Sequence, residues 1–293
     1  MRIVNPFAAG AASDVVARLI ADKVSQRLGK TFIVDNRPGA NAIIGTDIVA
    51  KAAPDGYTVL SGGNTTHAAN PSLFKALPYD PIRDFAPVAY VVGLHYYLVV
   101  GPGSPARSVQ ELITYARANP GKLSYGTGNA TSTISAEMLK LATGTDFAQV
   151  NYKGNPLAAA DVIGGTLTMM FLDNSTARPL LQGGKLRALG FAALQRSENF
   201  PDIPTLAEGG LPGINLTAWI SMWFPAKTPK PIVERLNLEI NFARAQPDVV
   251  VKLKELGFSL EGPGPRPEDF AEFVKSEIAL WARVVSEAKI PQQ

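Results

Sequence analysis

Apolar residues along this chain alternate between short runs typical of strands and longer stretches with helical spacing. The first short run stops at Pro6, and a helical pattern follows from Val15 to Leu28 and is closed by Gly29. The same pattern predicts further strands at 31–35, 57–60, 123–125, 147–152, 167–172 and 185–191, and further helices at 42–52, 108–118, 156–163, 229–245, 247–256 and 267–288. Strands that alternate with helices predict an α/β fold with parallel sheets and ligands at the carboxyl ends of the strands.

Two long apolar runs, 95–100 and 219–224, stand apart from this alternation. Runs of this kind predict crossovers between domains. We therefore expect one domain built from 1–98 and 222–293 and a second domain built from 99–221. Ligand-binding loops of both domains would then face one cleft, and the protein would close on its ligand about a hinge.

The loop after the first strand is the first candidate for a binding site. Five small residues, Ala8 to Ala12, precede Ser13 and Asp14 at the start of the first helix. A bare loop lets a ligand approach the backbone, and free N–H groups at a helix start favour an anion. The alternative is that Ser13 only caps a surface helix.

A second loop, 126–133, repeats this design of strand, small residues and hydroxyl-rich helix start. Its Gly126-x-Gly128 spacing is a weak dinucleotide signal, because the third glycine is replaced by Thr131. Hydroxyl and N–H groups suit a carboxylate better, and a plain Ser/Thr helix cap is the alternative.

Two further stretches follow predicted strands. The polar stretch 61–67 is expected to be a bare loop, in which His67 lines the site or lies at the surface. Asp173 is placed to meet a hydroxyl or amine of a ligand, or else caps a helix beginning near Arg178. The candidate ligand-binding residues are Phe7, Ala9, Ala11, Ala12, Ser13, Asp14, Asn64, Thr65, Thr66, His67, Thr127, Gly128, Asn129, Thr131, Ser132, Thr133 and Asp173.

Composition narrows the functional classes. The chain of 293 residues is 46% hydrophobic and 18% charged, which is typical of a globular protein. A net charge of +3 gives no argument for a nucleic acid or an anionic membrane as partner. The absence of cysteine excludes thiolate catalysis and disulfides, and the two histidines, His67 and His95, leave little for a metal site. No apolar run reaches membrane-spanning length.

The motifs of the chain also resemble those of a known family. They are Pro6-Phe7-Ala-Ala-Gly10-x-x-x-Asp14, Asp35-Asn-Arg-Pro-Gly-Ala40, Lys51-Ala-Ala-Pro-Asp-Gly-Tyr57, Asn70-Pro-Ser-Leu-Phe74, Asp84-Phe-Ala-Pro-Val88, Tyr152-Lys-Gly154, Gly184-Lys-Leu-Arg-Ala-Leu189, Pro201-Asp-Ile-Pro-Thr205 and Gly210-Leu-Pro-Gly213. Over nearly the whole chain they resemble the extracytoplasmic receptors of tripartite tricarboxylate transporters, the Bug family.

This resemblance implies a two-domain α/β periplasmic-binding-protein fold of the Venus flytrap type II, with the ligand cleft between the domains. It implies a periplasmic receptor, its leader absent from this chain, that binds a small carboxylate and delivers it to the membrane permease subunits. It implies no enzymatic activity; from the residues themselves we expect no cofactor, no metal, no nucleic acid and a monomer. The chain departs from the family where Ala9-Gly10-Ala11 replaces Pro-Gly-Gly and Thr133 replaces a histidine.

The class of carboxylate is inferred from charge. The candidate loops contain no Lys or Arg, and Lys153 is the nearest by sequence. We therefore expect a mono- or dicarboxylate rather than a citrate-like ligand. An aromatic acid is a further candidate ligand, because the aromatic side chains of Phe7, Trp219 and Trp223 could contact its ring.

The competing hypothesis is a hydrolase that acts on a small ester or amide. Asp14, Asp173 and His67 would form its triad, since loops at strand ends meet. The sequence carries no G-x-S-x-G nucleophile motif and no P-loop, which favours the receptor.

Overall fold

The structure is a computed structural model that describes residues 1–292. From the amino terminus the elements are β1 (Arg2–Asn5), α1 (Ala12–Leu28), β2 (Ile33–Asn36), α2 (Ile43–Ala50), β3 (Thr58–Gly63), a π-helical turn (Thr65–Ala69), α3 (Asn70–Leu73), β4 (Phe85–Leu94), β5 (Tyr96–Val100) and α4 (Val109–Ala118). They continue with β6 (Ser124–Thr127), α5 (Ala130–Thr143), β7 (Ala148–Asn151), α6 (Asn155–Ile163), β8 (Met169–Asp173), α7 (Asn174–Gln182), β9 (Arg187–Phe191), β10 (Ala218–Pro225), α8 (Lys230–Arg244), α9 (Pro247–Glu255) and α10 (Pro267–Glu287).

The chain divides into two compact units. Unit 1 contains Met1–Gly93, Ala218–Glu255 and the described chain from Ser259 on, and unit 2 contains Leu94–Thr217 and Leu256–Phe258. The chain changes unit a few residues before the predicted positions 99 and 222, because the apolar runs are strands of the sheets themselves. A short segment near 257, expected in the first domain, packs in unit 2.

Unit 1 is built on a five-stranded sheet in the order β2-β1-β3-β10-β4. β1 pairs in parallel with β2 and β3, and β10 pairs antiparallel to β3. The sheet is therefore mixed and not wholly parallel as predicted, since β10 enters it after the excursion of the chain through unit 2. The carboxyl ends of β1, β2 and β3 lie at one edge, where the residues after β1 and after β3 are placed.

Unit 2 has a second five-stranded sheet in the order β7-β6-β8-β5-β9. β6, β7 and β8 are parallel, whereas β5 runs antiparallel to β8 and β9. Large apolar side chains fill one face of this sheet, including Tyr97, Leu172 and Phe191. The carboxyl ends of β6, β7 and β8 share one edge, where the residues 127–133 and Asp173 lie.

The prediction that residues 61–67 form a bare loop is wrong. Ser61 to Gly63 complete β3, and the rest of the stretch enters the buried π-helical turn. Gly63 lets β10 approach closely, since a Cβ there would lie 2.1 Å from the carbonyl oxygen of Trp219. The Thr66 hydroxyl is 3.0 Å from both the N–H and the carbonyl oxygen of Gly63 and so ties the turn to the strand.

The second candidate loop is shorter than expected, because Gly126 and Thr127 belong to β6 and α5 begins at Ala130. The helix predicted near Arg178 begins earlier, at Asn174. Asp173 caps it, accepting the Thr176 N–H at 3.0 Å.

Candidate functional site

Around the first loop, the side chain of Asp14 organises the backbone. Its carboxylate accepts the Gly10 N–H at 3.0 Å and the Asn36 amide at 2.9 Å, and it pairs with Arg18 at 2.9 Å. Burial favours a raised pKa for Asp14, but the Arg18, Gly10 and Asn36 contacts together hold the pKa below its ordinary value of 3.8. Asp14 is therefore ionised and neutralised by Arg18, so it holds the loop and does not repel an anion.

The start of α1 leaves donors without side-chain acceptors. Its N-cap residue is Ala11, which has no side chain able to cap the first turn. Ala12 and Ser13 are buried, and the Ser13 hydroxyl has no hydrogen-bond partner among the described residues. Ala9 and Gly10 are exposed, and Gly10 adopts the left-handed conformation at φ +79°. Ser13 is thus not the cap that the alternative reading expected.

The main chain before this turn is held in place from β2. Phe7 is half-buried, and its carbonyl oxygen accepts the Asn36 amide at 3.1 Å. One asparagine therefore holds both Phe7 and Asp14. The sequence analysis missed Asn36. Its position at the end of a strand could have indicated that it supports the neighbouring loop.

The polar residues that follow β3 are buried and engaged inside unit 1. Asn64 accepts the Trp219 N–H at 3.3 Å, and Thr65 is 4% exposed. His67 is fully buried and stacks on Trp223 with ring centroids 3.7 Å apart. Its Nδ1 lies 2.7 Å from the Thr66 hydroxyl.

Burial lowers the pKa of His67 from 6.5 to about 3, so the imidazole is neutral at physiological pH. The ring contacts Thr66 and not a carboxylate, and Asp14 is taken by Arg18 and Asn36. The His67–Asp14 part of the proposed triad is therefore not formed.

The indoles expected near an aromatic ligand are also committed elsewhere in unit 1. The Trp219 Nε1 donates to Glu277 at 2.8 Å, and the Trp223 Nε1 donates to Ser221 at 2.7 Å. Both side chains are 2% exposed. Three aromatic side chains had suggested that the ligand could be an aromatic acid. Of these three, only Phe7 is partly accessible to solvent.

In unit 2, Asn129 is the N-cap of α5 and accepts the Ser132 N–H at 2.9 Å. Thr127 and Thr133 bring their hydroxyls to 2.7 Å from each other. The side chains of Asn129 and Thr131 contact the Tyr96 hydroxyl. These groups form one connected layer over the end of β6.

The Ser132 hydroxyl, which was predicted to bind the ligand, is engaged inside unit 2. It is fully buried and donates to the carbonyl oxygen of Phe171 at 2.7 Å. Since a hydroxyl has a single proton, this bond stabilises the packing of α5 on β8 and leaves no donor for a carboxylate.

Asn155 joins the two candidate parts of unit 2, and the sequence analysis missed it. Its Oδ1 accepts the Gly128 N–H at 3.2 Å, and its Nδ2 donates to Asp173 at 2.9 Å. Ser175 also donates to Asp173, at 2.8 Å. An amide is suited to this position because it offers a donor and an acceptor together. Its place just after Gly154, at the start of α6, was the available signal.

The described residues were also compared with the requirements of a metal site and of a membrane span. Among residues 1–292, no group of three or more His, Asp or Glu side chains is placed to hold a metal ion. Likewise, no helix in this part of the chain is long and apolar enough to cross a membrane.

The comparisons with known proteins assign the family. Residues 16–290 match the model of the tripartite tricarboxylate transporter family receptor. The chain is 38% identical over 290 residues to a UPF0065 protein of Pseudomonas sp. strain P51, covering 98% of this chain and 85% of the relative. This chain therefore belongs to the receptor family of tripartite tricarboxylate transporters, as its motifs predicted.

Solved structures agree with this assignment and confirm the two-domain binding-protein fold. A protein of R. palustris solved with adipate is 34% identical, with a TM-score of 0.95, covering 100% of this chain and 98% of that one. MatC of Rhodopseudomonas palustris, solved with bound malate, is 34% identical with a TM-score of 0.93, covering 97% and 98%. Both of those proteins hold dicarboxylates.

Proposed function

We propose that this protein is a periplasmic receptor that captures a small dicarboxylate and delivers it to the permease subunits of a tripartite transporter. The observation that carries the proposal is the start of α1, where Ser13 is buried with a hydroxyl that has no partner and no side chain caps the turn. Unpaired donors at a helix start favour an anion, through both hydrogen bonds and the helix dipole.

The local charge supports the same ligand class. Asp14 is paired with Arg18, so the first loop presents no net negative charge to an incoming carboxylate. In unit 2, the predicted residues around Gly128 and Asn129 add backbone and hydroxyl groups without an acidic side chain other than Asp173. That carboxylate is occupied by Asn155, Ser175 and the Thr176 N–H.

The ligands of related structures narrow the class. Adipate and malate, which two of those proteins hold, are both dicarboxylates. We extend that class to this chain, in preference to a monocarboxylate or an aromatic acid. Membership in the receptor family supports periplasmic location, transfer to a permease and the absence of catalysis. Capture by hinge closure and a monomeric state are part of the same proposal.

Replacing Ser13 tests the carboxylate site. Ser13→Ala removes the unpaired hydroxyl, and we expect it to weaken dicarboxylate binding by about 1–3 kcal/mol, because a buried ligand oxygen loses its donor. Ser135→Ala is the matched control, since the Ser135 hydroxyl is also buried without a partner but lies farther along α5. Calorimetric titration should show weaker binding for Ser13→Ala alone. Equal affinities for wild type and both variants would contradict this site.

A further inference from the structure

Arg178 on α7 carries a buried nitrogen that has no hydrogen-bond partner in the described part of the chain. Four arginines of the described chain are half-buried, and three of them have acceptors. Arg2 pairs with Asp35 at 3.2 Å, Arg187 donates to the carbonyl oxygen of Ala106 at 3.1 Å, and Arg244 donates to that of Leu260 at 2.7 Å. The Nη1 of Arg178 is buried and has no hydrogen-bond partner among residues 1–292.

The position of Arg178 on its helix directs the guanidinium toward the ligand edge of unit 2. Side chains on an α-helix point back toward its amino terminus, and residues four apart share a face. Arg178 therefore lies over Asn174, the first residue of α7, directly after the carboxyl end of β8. This is the sheet edge that also carries Gly128 and Asp173, which Asn155 links by hydrogen bonds.

The residue one helical turn before Arg178 also carries a polar atom without a partner. Asn174 is 4% exposed, and its Oδ1 has no hydrogen-bond partner among residues 1–292. The charge of Arg178 also acts on the Tyr97 hydroxyl. Burial raises the pKa of Tyr97, and the positive charge of Arg178 partly opposes this rise. The neighbours that the helix geometry and this interaction give Arg178, Asn174 and Tyr97, are thus both neutral polar side chains.

A half-buried cation without a counter-charge is costly, whereas a carboxylate that binds a guanidinium accepts two parallel hydrogen bonds. We propose that Arg178 binds the second carboxylate of the ligand and makes this receptor selective for dicarboxylates over monocarboxylates. The inference rests on the proposed function. It supplies the cation that the candidate loops lack.

Titration with matched ligands tests this assignment. Adipate and hexanoate have the same carbon chain, and malate with 2-hydroxybutyrate forms a shorter pair. For wild type we expect a dicarboxylate to bind at least about tenfold more tightly than its monocarboxylate, since a hydrogen bond between two charged groups is stronger than one between neutral groups. Arg178→Gln should remove most of this preference while changing monocarboxylate affinity by less than about twofold, since the uncharged donors remain.

Two further variants keep the result interpretable. Lys153→Gln removes the same charge from the exposed turn after β7 and should leave the preference intact, because Lys153 is solvated. Arg178→Lys retains the charge and should keep part of the preference, and thermal unfolding confirms that each variant is folded. If Arg178→Gln keeps the wild-type preference, or lowers both affinities equally, the assignment is wrong. If wild type binds no carboxylate, the proposed function itself fails.

Discussion

Gly128→Ala is expected to destabilise unit 2 and to weaken ligand binding. A Cβ at Gly128 would lie 2.2 Å from the carbonyl carbon of Gly154 and 2.3 Å from the nitrogen of Asn155, both of which are backbone atoms that cannot rotate away. The turn before α6 must move, and Asn155 then loses its bond to the Gly128 N–H. We expect a loss of about 3 kcal/mol in unfolding free energy, from overpacking together with a broken buried hydrogen bond.

Ligand affinity should fall with it, by about 100-fold, because Asn155 also positions Asp173 and the start of α7. Urea unfolding gives the stability, and titration at a temperature where the variant is folded gives the affinity. Gly103→Ala is the control within the same unit, since a Cβ there meets no atom within 4 Å. Wild-type affinity in Gly128→Ala would remove the residues around Gly128 from the site.

Acidification is expected to destabilise the protein through His67. Its pKa is about 3 in the folded protein and 6.5 in the unfolded chain, so between these values only the unfolded state binds the proton. The stabilisation is complete above pH 6.5 and declines as the pH falls toward 3. By pH 4.5 this single group should account for about 2–3 kcal/mol of lost unfolding free energy.

The variant His67→Phe isolates this effect. Phenylalanine keeps a ring against Trp223 but cannot take up a proton, so its unfolding free energy should change less between pH 7 and pH 4.5 than that of wild type. Both proteins contain His95, whose pKa burial also lowers, so its contribution cancels in the comparison. An equal loss in wild type and His67→Phe, measured by urea unfolding at both pH values, would show that His67 is not the acid-sensitive group.

Local patterns in the sequence predicted many elements of the fold, because their causes are local. Gly29 adopts the left-handed conformation that ends α1, as the helix pattern indicated. The stretch 61–67 was misread for the opposite reason. Its glycines and hydroxyls look like a loop, but they serve the close approach of β10, which lies far away in the chain. Only the tertiary pairing reveals that role.

The same distinction applies to the candidate site. The bare first loop and the helix start with Ser13 were visible as a pattern, whereas the engagement of Ser132 with Phe171 depends on a strand some forty residues later. Arg178 was noted only as the neighbourhood of a helix start. A linear sequence does not show whether a charged side chain is paired. The unpaired Nη1 of Arg178 therefore becomes apparent only when the nearby side chains are placed.

Native mass spectrometry of the intact protein with an equimolar mixture of adipate, malate, hexanoate and adipamide tests the central claim most directly. The account predicts a complex with one dicarboxylate molecule per chain, with little hexanoate and no adipamide, because the uncharged diamide offers neither a helix start nor Arg178 a negative charge. Binding of adipamide as strongly as of either dicarboxylate, or no complex with any acid in the mixture, would contradict it.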